Sequence, residues 1–117
     1  MRKINLITCE DLKAKIDRND DFKLVFTLGE WHYKAMHIPG SLHIDSPDKI
    51  AGQLDKNDDI VVYCASISCP ASVMAYHALK IKGFPYVRRF AGGIEEWQQK
   101  GFPLEGDMVP QIEHVRN

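Results

Sequence analysis

Residues 59–72 of the chain read DIVVYCASISCPAS, and the neighbouring elements are ordered around this stretch. Residues 60–63 are an apolar run rich in β-branched side chains, which is typical of a strand buried on both faces. Pro70 suits the first position of a helix, where its missing N–H is no loss, and a helical pattern follows over residues 71–82. Cys64 is therefore expected where the carboxyl end of a strand meets the N-terminus of a helix.

This position would favour an anionic sulfur on Cys64, because backbone N–H groups and the positive end of a helix dipole converge there. A free cysteine with a pKa of about 8.5 is only a few per cent thiolate at neutral pH. Lowering the pKa of the thiol by about two units takes roughly 2.7 kcal/mol. A helix N-terminus supplies up to roughly 2 kcal/mol, so amides of the loop over residues 65–69 would have to contribute. The alternative, an inert cysteine at a strand end, stays open on this stretch alone.

The length and composition are those of one globular domain. A chain of 117 residues with 44% hydrophobic and 26% charged residues can bury a core without disulfides or metal. A net charge of -1 gives no electrostatic reason to expect nucleic acid or an acidic membrane as a partner. No apolar run follows the basic residues of the N-terminus, so we expect neither a signal peptide nor a membrane span.

The cysteines and histidines indicate a reducing setting and no metal site. Three cysteines are an odd number and too few for a secreted disulfide scaffold, so we expect a cytoplasmic protein. No metal is expected, because four of the histidines lack the spacing of metal ligands. These are His32, His43, His77 and His114.

Strand and helix patterns alternate along the chain, which predicts an α/β domain with a mostly parallel sheet. In such sheets ligands bind at the carboxyl ends of the strands. The predicted strands cover residues 5–8, 22–28, 42–45, 60–63 and 86–90. The predicted helices are one capped by Thr8, one over residues 30–36, one starting at Ser46, one ending at Gly83, and one anchored by Ile94 and Trp97 that ends at Gly101. Residues 1–117 form a single domain in this interpretation, with residues 105–117 as a C-terminal tail.

Three sequence pieces in fixed order make the chain resemble a single rhodanese-like domain. They are HIPGS at residues 37–41, VYC at residues 62–64, and GF at residues 83–84 followed by AGGIEEW at residues 91–97. The resemblance implies a five-stranded, mainly parallel sheet flanked by helices on both faces. It also implies that Cys64 is the sulfur-carrying nucleophile. The loop that would bind its persulfide through backbone N–H groups consists of Ala65, Ser66, Ile67, Ser68 and Cys69.

The chain departs from the family pattern in two places. Many members have Asp-x-Arg at the end of the second strand, where this chain has Phe26 and Leu28. Many also have an arginine soon after the cysteine, whereas residues 65–79 contain neither Arg nor Lys. The chain is instead similar to a subset with a second cysteine followed by Pro or Asn, here Cys69-Pro70. Whether Cys69 is a resolving thiol or a structural residue is open at this point.

The resemblance implies a sulfurtransferase that moves a sulfane sulfur from thiosulfate or a persulfide, through a Cys64 persulfide, to a thiophilic acceptor. It needs no cofactor, and its partners are small-molecule or protein sulfur donors and acceptors. One alternative is a non-catalytic binding or regulatory module, and another is a thiol redox protein that uses Cys64 and Cys69. Phosphatase or arsenate reductase activity is disfavoured, because no arginine of the loop can grip an oxyanion. Arg88 and Arg89 could add positive potential near the loop, although a solvated surface is the more ordinary place for them.

Overall fold

The structure is a computed structural model that describes residues 4–46, 49 and 52–109. In that part of the chain the sheet has four strands, β1 Lys23–Phe26, β2 Leu42–His43, β3 Ile60–Tyr63 and β4 Val87–Phe90. All neighbours are parallel, in the order β2-β1-β3-β4. The helices there are α1 Cys9–Asp17, α2 Glu30–Ala35, α3 Ala71–Ile81 and α4 Gly93–Gln99.

The central strand β3 separates two apolar layers. Val61 and Tyr63 pack into the layer formed with α1 and α4, whereas Ile60 and Val62 pack into the layer formed with α3. All four side chains are fully buried, because successive residues of a strand point to opposite faces of the sheet. The predicted α/β class, with helices on both faces of a parallel sheet, is confirmed.

The predicted fifth strand at residues 5–8 is not formed. This segment makes one parallel bridge, between Leu6 and Arg89, at the outer edge of β4. Two hydrogen bonds hold the bridge: Arg89 N–H donates to the Asn5 carbonyl at 2.8 Å, and Ile7 N–H donates to the Arg89 carbonyl at 3.1 Å. Thr8 already caps α1, so the chain leaves the sheet before a longer ladder can form.

The helix ends follow local sequence signals closely. The side chain of Thr8 accepts a hydrogen bond from Asp11 N–H at 3.0 Å, as expected of an N-cap. Pro70 is the N-cap of α3 rather than its first helical residue, so the helix begins at Ala71, one residue later than the proline predicted. Gly83 and Gly101 lie just beyond α3 and α4 with φ of 94° and 76°, values that favour glycine. The helix predicted to start at Ser46 falls largely on residues outside the described ones.

The start of the predicted C-terminal tail lies against the HIPGS turn. His37 and Glu105 exchange backbone hydrogen bonds of 2.8 and 2.9 Å, and Met108 N–H donates to the Ala35 carbonyl at 2.9 Å. Residues 105–109 therefore border the turn and the end of α2. Residues 110–117 lie outside the described part of the chain.

The hydroxyl of Tyr63 fixes β3 to the HIPGS turn. It accepts a hydrogen bond from Ile38 N–H at 2.9 Å and lies 2.6 Å from Ser41 Oγ. Ser41 in turn donates to the Ile38 carbonyl at 2.6 Å, which leaves its oxygen to accept from the tyrosine. Burial raises the pKa of Tyr63 above its ordinary value, so the group stays a neutral donor.

Replacing Tyr63 with Phe tests this closed set of hydrogen bonds. Tyr63→Phe leaves Ile38 N–H without its partner in a buried place, and we expect a loss of about 1–3 kcal/mol in the free energy of unfolding. Tyr86→Phe is the control, because the Tyr86 side chain is 58% exposed, and its effect is expected to be near zero. Urea denaturation of both variants gives the comparison. Equal effects of the two substitutions would contradict the role assigned to Tyr63.

Candidate active site

Cys64 directly follows β3 and is held from the side by the start of α4. Ile94 N–H donates to the Cys64 carbonyl at 3.0 Å, and Glu95 N–H donates to the Ala65 carbonyl at 2.8 Å. Gly93 makes this approach possible, because its φ is 61° and an added Cβ would lie 2.2 Å from the Cys64 carbonyl oxygen. The backbone at the end of the strand therefore has little freedom to move.

The loop between Cys64 and α3 projects into solvent. Ala65, Ile67 and Ser68 are exposed, with Ile67 at 68%. A turn closes the loop, in which Cys69 N–H donates to the Ser66 carbonyl at 3.1 Å. The five residues predicted to bind the persulfide thus form one short surface loop at the edge of the sheet.

The loop brings Cys69 back to Cys64, and the structure joins the two as a disulfide. Their Cα atoms are 6.6 Å apart, within the range of about 4.4–6.8 Å that a disulfide spans. The third cysteine, Cys9, is free and buried at the start of α1, in the apolar layer that β3 forms with α1 and α4. Burial, reinforced by the charge of Glu96, raises the pKa of Cys9 to about 11. Of the three cysteines, Cys64 and Cys69 are therefore the two that lie close enough to bond to each other.

Two polar groups lie near the sulfur of Cys64, which is itself buried with 1% of the residue exposed. The carbonyl oxygen of Cys69 and Oγ of Ser72 are each 3.6 Å from Cys64 Sγ. Ser72 belongs to the first turn of α3 and is fully buried. The sulfur therefore faces a hydroxyl that can donate to it and a carbonyl that cannot.

Arg89 lies beneath the loop, which is the less favoured of the two places that the sequence suggested for it. Its Nε donates to Ser72 Oγ at 2.9 Å and its Nη2 donates to the Ile67 carbonyl at 3.0 Å. The residue is only 7% exposed, so the expectation of a solvated side chain is wrong for Arg89. Arg88 points the other way and pairs with Asp59 at 3.2 Å. Strand alternation was the available signal, since two consecutive residues of a strand cannot face the same side.

The positions of the family's Asp-x-Arg are filled by apolar side chains that join the core. Phe26 is fully buried, with its ring 5.1 Å from that of Tyr63, and Leu28 packs against the same layer. Between them, Thr27 Oγ1 donates to the Tyr63 carbonyl at 3.1 Å. This corner of the site is stabilised by packing and one hydroxyl rather than by an ion pair.

His37 contributes to the turn. Its ring stacks on that of Tyr33 with centroids 4.0 Å apart, and its Nδ1 lies 2.7 Å from the Tyr33 carbonyl. Among the described residues, no group of three or more His, Cys, Asp or Glu side chains is placed to hold a metal ion. Within the same residues, no helix is both long and apolar enough to cross a membrane.

Residues 8–100 match the Rhodanese-like domain family, and the chain belongs to this family. It is 31% identical over 96 residues to the "Putative sulfur carrier protein YrkF" of Bacillus subtilis (strain 168). That alignment covers 80% of this chain and 51% of the relative, so the chain spans about half of the relative's length.

Solved structures show the same fold. The BH2092 protein of Bacillus halodurans superposes with a TM-score of 0.79 at 24% identity, covering 95% of this chain and 88% of that one. The Rhodanese-like domain of the Alr3790 protein from Anabaena sp. gives a TM-score of 0.78 at 23% identity, covering 98% and 85%.

Two glycine substitutions test the contact between α4 and Cys64. Gly93 and Gly101 both have positive φ, at 61° and 76°, but an added Cβ meets nothing within 4 Å at Gly101. Gly101→Ala should therefore lose only about 1 kcal/mol of unfolding free energy for the backbone strain. Gly93→Ala should lose roughly 1–3 kcal/mol more, because the added methyl group collides with the Cys64 carbonyl. Urea denaturation measures both losses, and equal losses would show that the close approach is unimportant.

Proposed function

We propose that the protein is a sulfurtransferase in which Cys64 carries the transferred sulfur as a persulfide. Family membership and the sulfur carrier relative support a role related to sulfur transfer. The observation that carries the finer proposal is the position of Cys64. It directly follows the central buried strand at the carboxyl edge of a parallel sheet, with its sulfur next to the first turn of α3.

In the first half of the reaction the Cys64 thiolate attacks the outer sulfur of the donor. A sulfur–sulfur bond forms, the bond to the rest of the donor breaks, and the leaving group takes the electron pair; for thiosulfate it departs as sulfite. In the second half, a nucleophilic acceptor attacks the terminal sulfur of the persulfide, and Cys64 leaves as thiolate. Both partners thus remain sulfur donors and acceptors of small-molecule or protein type, and no cofactor takes part.

The persulfide carries negative charge on its terminal sulfur, and the loop amides of residues 65–69 with the N-terminus of α3 are suited to stabilise it. In the disulfide form the Cys69 carbonyl faces Cys64 Sγ at 3.6 Å. A carbonyl oxygen repels an anion, so the persulfide form requires this peptide to turn away. The exposed residues of the loop leave room for that change.

A resolving role for Cys69 is the second candidate, favoured by its placement for a disulfide with Cys64. The Cys69 thiolate attacks the inner sulfur of the Cys64 persulfide and forms the disulfide. The outer sulfur then leaves as hydrosulfide with the electron pair. A thiol reductant must restore both cysteines before another cycle, which suits a reducing, cytoplasmic setting.

A binding module is the alternative from another class. The apolar residues Phe26 and Leu28 in place of the family's charged pair favour it, as does the absence of an arginine from the loop sequence. Sulfur loading separates the two functions, because a binding module has no need to take up sulfur.

Cys64→Ser is expected to abolish sulfur loading, because serine cannot form the persulfide. The measurement is intact mass after incubation with thiosulfate, where the wild type should gain about 32 Da, the mass of one sulfur atom. Cyanide-dependent formation of thiocyanate should be lost together with the adduct. Cys9→Ser is the matched control and should load normally, since burial raises the pKa of Cys9 to about 11 and keeps it a thiol. Loading of Cys64→Ser would overturn the assignment, and a wild type that never loads with thiosulfate or persulfide donors would favour the binding module.

Cys69→Ser tests the resolving role. The persulfide on Cys64 should live longer in this variant, because the nearby thiol that displaces hydrosulfide is gone. The loss of about two mass units on oxidation, the signature of the internal disulfide, should vanish as well. Time-resolved mass spectrometry follows both quantities, and sulfur loading itself should persist. An unchanged persulfide lifetime would assign Cys69 a structural role.

A further inference from the structure

Arg89 is a buried cation without a carboxylate partner in the described part of the chain. Arg88, its neighbour on β4, pairs with Asp59, but no ion pair within residues 4–46, 49 and 52–109 involves Arg89, which is 7% exposed. A guanidinium cannot give up its proton under ordinary conditions, and burying an uncompensated charge is strongly unfavourable. An anion is therefore expected close to this side chain in the working protein.

The hydrogen bonds of Arg89 point to where that anion lies. Its Nε is a donor only, so Ser72 Oγ is the acceptor in their 2.9 Å contact. The hydrogen of the Ser72 hydroxyl is then free to be donated elsewhere, and Cys64 Sγ is 3.6 Å from the same oxygen. The serine therefore connects the cation to the sulfur.

The second arm of the guanidinium orients the loop. Arg89 Nη2 donates to the Ile67 carbonyl at 3.0 Å, so the middle of the loop is tied to β4 while its neighbours are exposed. One side chain thus contacts both the residue that faces the sulfur and the segment that would surround it.

We propose that Arg89 is a positioning residue that acts through Ser72 to stabilise the anionic sulfur on Cys64, and that this sulfur is the counter-charge the guanidinium otherwise lacks. The inference rests on the proposed function in taking Cys64 as the reactive sulfur. It applies to the thiolate, whose charge lies on Cys64 Sγ next to Ser72; in the persulfide the charge lies one bond further out, on the terminal sulfur. The disulfide form provides no such charge, so Arg89 also favours the reduced state of the cysteine pair.

The alkylation rate of Cys64 as a function of pH tests the proposal without a sulfur donor. Arg89→Met and Ser72→Ala are compared with Arg88→Met, which removes one positive charge from the same strand on the solvent side. All are made in a Cys69→Ser background to prevent the disulfide, and iodoacetamide labelling of Cys64 is quantified by peptide mass spectrometry. Arg89→Met and Ser72→Ala should each move the midpoint of the rate curve to higher pH. The rate at pH 7 should fall roughly three- to tenfold in each, which is the net contribution expected of one ordinary hydrogen bond.

The controls separate electrostatics from folding. Arg88→Met should keep the midpoint of its parent, and Arg89→Lys, which retains the charge without the planar fork, should restore part of the shift. The double variant Arg89→Met/Ser72→Ala should shift less than the sum of the two single shifts, because both remove the same connection. If Arg89→Met fails to fold, Ser72→Ala and Arg89→Lys still decide the outcome.

Equal midpoints for Arg89→Met and Arg88→Met, or an unchanged midpoint for Ser72→Ala, would overturn the proposal. Failure of the wild type to gain sulfur from thiosulfate is a separate result. It would remove the sulfurtransferase function, while shifted alkylation curves would still establish Arg89 as the partner of the Cys64 thiolate.

Discussion

The site depends on the close approach between the first residues of α4 and the backbone of Cys64. The missing side chain of Gly93 lets Ile94 and Glu95 bond the two carbonyls that follow β3. This contact decides where the strand ends and in which direction the loop leaves. Tyr63 is secured at the same time from the other side, through its hydroxyl and the HIPGS turn. Cys64 is thus attached to a backbone that is held on both sides of the chain.

The site combines packed elements, which position Cys64, with an exposed loop that can change conformation. The sheet, α3 and α4 hold Cys64 and Ser72 in place. The loop over residues 65–69 is attached to this frame at its two ends, through the Ala65 carbonyl and the Cys69 disulfide, and in its middle by Arg89, while most of its side chains are exposed. In the proposed reaction, exchange between a disulfide and a persulfide would change which atoms around the sulfur have to be hydrogen-bond donors. The loop can make that change without disturbing the packed layers, because the energy of the fold resides in the buried residues of β3 and its neighbours.

Local sequence signals predicted most helices and strands. The predictions that were wrong concern features that depend on contacts between residues distant in the sequence. The apolar run at residues 60–63 and the glycines at 83 and 101 predicted the central strand and two helix ends, because each depends on its own neighbourhood. The segment at residues 5–8 looks like a strand by composition, but its pairing depends on how soon the chain turns into α1. The burial of Arg89 was not predicted for a related reason: its contacts come from α3 and the loop, which are distant in sequence.

The adjacent arginines of β4 also bear on how the sheet assembles. In the native register Arg88 pairs with Val61 and Arg89 with Val62, which places one guanidinium at the rim with Asp59 and the other under the loop. A shift of β4 by one residue would turn each side chain to the opposite face. In either direction one arginine would take the other's native place, and the remaining arginine would move to the buried, apolar position of Val87 or Phe90. A shifted register would therefore bury a charge at an apolar position, a cost that an edge strand of apolar residues alone would not impose.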